Sequence, residues 1–463
     1  MAFGAFVRKH GMFFSMILIF IAMAFLTHWW TGTWAFLSPE NLSNLSEQVT
    51  VNGILALGMT FVILIGGIDL SVGSILAVCA VVLALLSDPT NVAQVVPASG
   101  YRSLLQFLAH PFTAILFALA AGILLGAWNG LLVSRGKVLP FIVTLATLTI
   151  GRGLAYLASG SQSLRVKASI FKVLGLYSLD RLCYEIWYGI AGLPREAVAA
   201  MAKKGIPKGD QVRVFVESLS LPDKLASGLP NPGKILPGST FVPGFTVVFL
   251  LVAFLAWAGL VLRRRERLEK NGVPVPPKEE TMTQLVVGAV VFLLLGIVFA
   301  SHQGIPIMVL LFAALALGAS FLLNRTVFGR HLYAIGGNRE AAYLAGVRVE
   351  KCTFIVFVLM GLLCAVSGIV ATSRAQAATP ATQGVLAELE AIAAVVVGGT
   401  SLMGGVGTIG GTIIGVLIIG IVVNGMILMA LPNPVQLIFK GLLIVAAVLI
   451  DMRTKRRSSA GMM

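Results

Sequence analysis

The side chains best placed to do chemistry in this chain are few, and they sit beside apolar runs. Asp69 and Ser71 lie in Gly66-Gly67-Ile68-Asp69-Leu70-Ser71-Val72-Gly73, and Arg374, Glu388 and Glu390 flank a polar turn from Gln376 to Leu386. A carboxylate at membrane depth is costly and is functional by default. Paired glycines break a helix, and Asp69 or Ser71 can accept the orphan N–H groups of the helix that follows, so capping is the competing role there. For Arg374, Glu388 and Glu390 the competing roles are lining a pathway entrance and anchoring at an interface. Catalytic chemistry is absent by comparison. The five histidines are scattered, without metal-ligand spacing, and no Ser/His/Asp or Cys/His constellation is evident. Gly405-Val406-Gly407-Thr408-Ile409-Gly410 fits G-x-G-x-x-G, but it opens an apolar helix instead of following a strand. The stretch from Gly130 to Lys137 has one residue too many for a phosphate loop and lacks Ser or Thr after the lysine.

These residues must be positioned by membrane helices. The 463 residues are 57% hydrophobic and 11% charged, where a soluble domain carries about 25% charged residues. A spanning helix needs about 20 apolar residues, and the long continuous runs favour helices over a barrel. The pattern predicts an all-α polytopic membrane protein of about twelve helical segments, some broken or re-entrant. They fall near 11–28, 49–66, 71–87, 112–133, 138–158, 245–262, 284–301, 305–324, 352–371, 386–403, 407–430 and 435–451. Ala22-Met23-Ala24 imitates a signal-peptidase site, but the apolar stretch runs past it, so the first helix is expected to be retained.

The net charge of +15 does not point to nucleic acid, because much of it sits in short loops. Arg8-Lys9, Arg135 with Lys137, the run from Arg263 to Arg267, the Arg325–Lys351 loop and the run from Arg453 to Arg457 fall on one side for an even number of crossings. The positive-inside rule makes that side the cytoplasm, with both termini inside. The expected organisation is 1–162 as a first membrane half and 163–244 as an external insertion rich in proline and glycine. An extra helix pair follows at 245–301 with a basic cytoplasmic loop, then a second half at 302–463. Gly66 to Gly73 resembles Gly398 to Gly405, and Asn129-Gly130 before Pro140 echoes Asn424-Gly425 before Pro434, a weak internal repeat. Four cysteines, three of them in apolar runs, imply no disulfide framework.

The loop 325–351 holds a polar, basic island with Gly336-Gly337-Asn338 and then Glu340-Ala341-Ala342, four residues before Gly346. E-A-A-x-x-x-G in a cytoplasmic loop resembles the coupling motif of permease subunits of ABC importers, where a short helix docks on a separate ATP-hydrolysing subunit. A surface turn is the competing role. Further residues carry a wider resemblance: Gly58 to Ile63, Ile68 to Ser74, Gly126-Ala127-Trp128-Asn129-Gly130, Pro140 to Leu145, Gly151-Arg152-Gly153, Ala334 to Asn338, Leu389 to Ala394, and Gly398-Gly399-Thr400-Ser401-Leu402. Together they resemble permeases of bacterial monosaccharide ABC importers, the ribose, galactose, arabinose and xylose branch. The helix pair at 245–301 and the ending Asp451 to Ser458 resemble the xylose type, while the long 163–244 insertion departs from the usual pattern.

The resemblance implies a bacterial inner-membrane, multi-pass permease, forming its pathway as a homodimer with a second copy of itself. The implied partners are an ABC ATPase inside and a periplasmic or extracellular sugar-binding protein outside, and no nucleic acid is expected. The chain itself would be no enzyme and would hold no cofactor or metal, with ATP and Mg on the partner ATPase. Coupling is expected at Gly336, Gly337, Asn338, Glu340, Ala341, Ala342 and Gly346. Candidates along the substrate pathway are Asp69, Ser71, Asn129, Arg374, Glu388, Glu390 and Thr400. The cargo is expected to be a neutral monosaccharide, a pentose such as xylose. Inositol, another polyol or a nucleoside is the alternative cargo. An ion-coupled secondary transporter is an alternative mechanism, and it would need carboxylates at the bilayer centre, for which Asp69 is the weak candidate. A membrane enzyme is a further class, which no constellation supports.

Overall fold

A computed structural model describes residues 11–95, 100–183, 244–275, 277–432, 434–442 and 445. Of the 163–244 insertion, residues 184–243 lie outside the described residues, as do Arg8-Lys9 and the ending 451–458. The helices are α1 Gly11–Thr31, α2 Pro39–Leu64, α3 Val72–Ser87, α4 Pro89–Val95, α5 Gly100–Leu108, α6 Pro111–Ser134, α7 Pro140–Ser159 and α8 Ser169–Leu176. They continue as α9 Gly244–Lys270, α10 Lys278–Ala300, α11 Ile307–Arg325, α12 Val327–Gly337, α13 Arg339–Leu344, α14 Val349–Ala375, α15 Ala387–Val397 and α16 Ile409–Leu428. Residues 434–442 form a last helix. Two short strands, β1 Leu164–Arg165 and β2 Ala377–Ala378, pair antiparallel.

Each of the twelve apolar segments expected from the sequence contains a helix among the described residues; of 435–451, residues 443–444 and 446–451 lie outside them, and the 386–403 segment is helical only over 387–397. Among the described residues, nine helices are long and apolar enough to cross a membrane. The segments outside that group are α3, α15 and the last helix. α3 bends by 112° into α4. With 11 residues, α15 reaches only about 16 Å of the roughly 30 Å hydrocarbon layer, at about 1.5 Å per residue. The fold is thus all-α and polytopic with interrupted helices. Short helices such as α4, α8, α12 and α13 are additions that the apolar runs do not reveal, because their sequences are too short to carry a spanning signal.

The chain clusters into two compact units. The larger holds residues 1–38, 44–176 and 308–463. Its core is α14, which packs along α6 and α3. Lipid supplies no hydrophobic drive between helices, so close backbone approach must. Gly122, Gly126 and Gly130 recur every four residues along α6, on one face of the helix. A Cβ at Gly122 would lie 2.4 Å from the Gly361 carbonyl oxygen, and one at Gly126 would lie 2.4 Å from that of Phe357. Gly361 returns the contact, since its Cβ would meet the Gly122 carbonyl oxygen at 2.1 Å. A second seam joins α15 and α16, where Gly411 and Gly415 lie against the backbone of Gly398 and Ala394.

The smaller unit holds residues 39–43 and 177–307. Within it α9 and α10 pack through Phe254, Trp257 and Phe292, and Gly288 makes room for the Trp257 ring. Asp180 is fully buried and accepts the Phe245 N–H at 2.9 Å and the Thr246 N–H at 3.2 Å, satisfying the first turn of α9. Arg265 donates to Thr281 at 2.7 Å and pairs with Glu269 at 3.1 Å, which ties the polar ends of the two helices together.

Replacing Gly126 with leucine should separate α6 from α14 and destabilise the protein by about 3 kcal/mol or more, the upper range for overpacking. Thermal unfolding of purified protein in detergent, compared with Gly153→Leu where a Cβ meets nothing within 4 Å, checks this.

Candidate functional site

Two helix interruptions define the site, and both belong to the larger unit. The first follows α2. Its last turn closes with Gly66 and Gly67 donating to Ile63 and Val62, and the chain then runs without helix until α3 begins at Val72. Asp69 Oδ1 accepts from the Ser71 N–H at 2.8 Å and from the Ser71 hydroxyl at 2.5 Å. Asn129 of α6 donates to the Ser71 hydroxyl at 2.8 Å, and Thr147 of α7 donates to Asn129 Oδ1 at 2.6 Å. All four side chains are essentially inaccessible. Among the described residues, no basic side chain forms an ion pair with Asp69. The structure thus brings Asp69, Ser71 and Asn129 together in one closed chain of hydrogen bonds that holds the interruption against α6 and α7.

The second interruption runs from Gln376 to Leu386, between α14 and α15. Arg152 of α7 donates from Nη1 to the carbonyls of Pro380 and Gln383, both at 2.9 Å. The segment crosses the start of α3, where Gly384, with φ +69°, lies backbone to backbone against Gly73. Either Cβ would stand within about 2 Å of the other residue's carbonyl oxygen, so only glycine fits at this crossing.

The three charged candidates around the second interruption separate. Arg374 pairs with Glu47 of α2 at 3.3 Å. Glu390 pairs with Lys440 of the last helix and accepts from Asn52 of α2. Glu388, 8% exposed, faces the other way, toward Gly73: its Oε2 lies 2.7 Å from where a Cβ would stand on that glycine. Thr400 lies elsewhere, in the turn after α15. It is fully buried against Gly407, and among the described residues no group bonds its hydroxyl.

The coupling candidates form a short two-helix segment. Thr326 caps α12 by accepting from Gly329 N–H, and Asn338 caps α13 by accepting from the N–H groups of Glu340 and Ala341, both at 3.0 Å. Gly346 ends the segment with φ +82°; a Cβ there would meet nothing within 4 Å, so backbone conformation alone calls for glycine. Glu340, Ala341, Tyr343 and Leu344 are exposed, whereas Ala342 is buried. A groove of about 500 Å³ lies beside α13, lined by Ser134, Lys137, Pro140, Arg339, Tyr343 and Glu350.

Gly336 is the residue of this segment that reaches inward. A Cβ there would fall 1.8 Å from the Leu64 carbonyl oxygen and 2.3 Å from the Gly405 nitrogen. Gly405 itself donates to that Leu64 carbonyl at 2.9 Å, and Tyr333 donates to the Gly407 carbonyl at 2.7 Å. Burial raises the Tyr333 phenol above its ordinary pKa, which keeps that donor protonated. So α12 rests directly on the end of α2 and on the turn after α15, the two glycine-rich stretches that resemble each other in sequence. Sequence reasoning missed this junction, Arg152 as a carbonyl clamp, and Lys440. The Gly336-Gly337 pair was the available signal for the first. For Arg152 and Lys440, charged residues within apolar runs were the signal.

Replacing Asn129 with alanine leaves Ser71 and Thr147 short of a buried partner and should cost about 1–3 kcal/mol. Thermal unfolding should fall accordingly, and Asn129→Gln should not restore it, because the longer amide cannot meet both hydroxyls in the same place.

The family described as "Branched-chain amino acid transport system / permease component" matches residues 41–183 and 235–448. The chain is 36% identical over 448 residues to the xylose transport system permease protein of Escherichia coli (strain K12), covering 96% of this chain and 93% of that one. It is 32% identical over 443 residues to the xylose permease of Haemophilus influenzae, covering 96% of each. It is 33% identical over 449 residues to the ribose import permease protein of Bacillus subtilis (strain 168), covering 97% and 94%. No solved structure matches. The chain belongs to this permease family and is a multi-pass sugar permease of the ABC type, a subunit that translocates and does not catalyse.

Proposed function

We propose that this chain imports a neutral pentose, xylose before ribose, across a bacterial inner membrane, using ATP and Mg bound by a separate ATPase. The observation that carries the reading is the α12–α13 segment, an exposed, capped pair of short helices whose inner face rests, through Gly336, on the end of α2 beside the first interruption and on the turn after α15. A push on such a segment reaches the first interruption, at the end of α2, without an intermediate element. The groove of Lys137, Arg339 and Glu350 beside exposed Tyr343 and Leu344 suits an ATPase surface with an apolar centre and mixed charge at its rim. Similarity to xylose and ribose permeases favours a pentose over inositol, other polyols and nucleosides.

In this reading two copies of the chain form the pathway, and a soluble binding protein delivers sugar from outside. The orientation has α12 and α13 in the cytoplasm with both termini. Support comes from the basic loops at 263–280 and 325–351 and from the consistency of the ends. Leu64, Gly336 and Gly405 meet at one end of the larger unit, while β1, β2 and the contact of Gly175 with Ser373 gather at the other. An ion-coupled mechanism is disfavoured because Asp69 already accepts two hydrogen bonds inside a closed network.

Cysteine labelling in a background without native cysteines tests the orientation. Lys172→Cys should react from outside, and Gly272→Cys and Ala345→Cys only from inside. The opposite pattern would overturn the topology. Gly346→Leu should remain in the membrane but lose transport by about tenfold or more, since φ near +80° is strained for leucine and the end of α13 must shift. Normal uptake at normal expression would remove the coupling role. The cargo is tested by deletion of this chain and uptake of labelled pentoses, hexoses and inositol. High-affinity uptake of one pentose should vanish while the binding protein still binds it, and loss of an amino acid instead would refute the cargo.

A further inference from the structure

Glu388 holds bonding capacity that, among the described residues, no other residue's hydrogen-bond donor uses. Its two charged companions are satisfied: Arg374 by Glu47, and Glu390 by Lys440 and Asn52. Glu388 is 8% exposed, and its carboxylate is reached by its own backbone N–H but, among the described residues, by no other donor. Arg152 lies near, but its Nη1 is committed to the Pro380 and Gln383 carbonyls, and it forms no ion pair with Glu388. A buried carboxylate without donors is costly, so its retention asks for a ligand.

The place it faces fits one. Oε2 of Glu388 lies 2.7 Å from where a Cβ would stand on Gly73, in the first turn of α3. The N–H groups of Val72, Gly73 and Ser74 have no intrahelical acceptor there. α15 begins beside them, at Ala387, so the N-termini of two interrupted helices meet at this point. Val385 and Leu389, on either side of Glu388, are exposed, which puts the crossing at an accessible margin of the larger unit. A row of N–H donors next to a carboxylate acceptor calls for a group that both accepts and donates. A sugar hydroxyl does both. A bare cation would meet the carboxylate but be repelled by the helix N-terminus.

We propose that Glu388, with the first-turn amides of α3, forms a hydroxyl-binding subsite for the sugar in transit. The proposal rests on the reading of this chain as a sugar permease. Glu388 accepts one or two sugar hydroxyls, and the α3 amides donate to the oxygens of the same or a neighbouring hydroxyl. The Gly73–Gly384 contact closes the crossing, and the 379–386 segment is the element that must move away for sugar to enter. Small glycines on both sides leave only backbone to separate.

The test uses the permease reconstituted in liposomes with its ATPase and binding protein. Glu388→Gln should keep ATP hydrolysis stimulated by the sugar-loaded binding protein, and keep its thermal stability. It should lower pentose transport about tenfold. It should also reduce the preference for the pentose over its monodeoxy analogues, a change that a merely structural role would not produce. In wild type, saturating pentose should slow modification of Glu388 by a hydrophobic carbodiimide, read by mass spectrometry; this arm does not depend on any variant folding. Unchanged transport and preference, or loss of hydrolysis together with transport, would overturn the proposal while leaving the sugar-permease reading intact. So would a sodium dependence of uptake that Glu388→Gln abolishes, which would make Glu388 a cation ligand. A wild-type complex that moves no neutral sugar would overturn both the proposal and the reading beneath it.

Discussion

Backbone at membrane depth must find its hydrogen bonds inside the protein, and the two helix interruptions are where this chain meets that constraint. Each has its own side chain drawn from a neighbouring helix. Ser71 and the 68–71 segment are held by Asn129 of α6 and Thr147 of α7. The 376–386 segment is held by Arg152 of α7, with Gln383 and Gln376 bonding carbonyls of Ala377 and Phe171. Asp69 and Arg152 are thus the polar cost of leaving α3 and α15 as partial helices. What the interruptions provide is backbone that can rearrange without unwinding a full span.

The surrounding helices are built to keep that backbone in place. α14 meets α6 closely at Gly122, Gly126 and Gly361, where a Cβ would run into the backbone of the facing helix. In lipid such contact replaces the hydrophobic burial that a soluble core would use. α12 then makes the same kind of approach from one end, with Gly336 against the Leu64 carbonyl and Gly405. Because these are contacts of backbone with backbone, little side-chain compliance stands between the α12–α13 segment and the first interruption. A sugar permease driven by a separate motor needs such stiffness.

Much of this was legible in the sequence, for identifiable reasons. Lipid enforces long apolar runs, so the spans could be read directly. The glycine pair at 66–67 marked a break, and the Glu340-Ala341-Ala342 run four residues before Gly346 pointed to the short helix that the fold shows there. What was not legible depended on distant partners. Glu388 and Glu390 stand two apart and look alike in sequence, but two residues on a helix point in nearly opposite directions. Only the fold brings Lys440, 50 residues away, to Glu390 and leaves Glu388 facing Gly73. Arg374 looked like a pathway group until Glu47, 327 residues earlier, was placed beside it. The glycine spacing on α6 was visible, but its partner Gly361 was not.

The central claim is that sugar movement through this chain draws its energy from a separate ATPase acting on the α12–α13 segment. Reconstitution in liposomes with the ATPase and the binding protein, followed by accumulation of labelled pentose, tests it most directly. The account predicts uphill accumulation that needs Mg-ATP and all three proteins and is indifferent to proton and sodium gradients. Accumulation by this chain alone, driven by an imposed ion gradient without ATP, would contradict it.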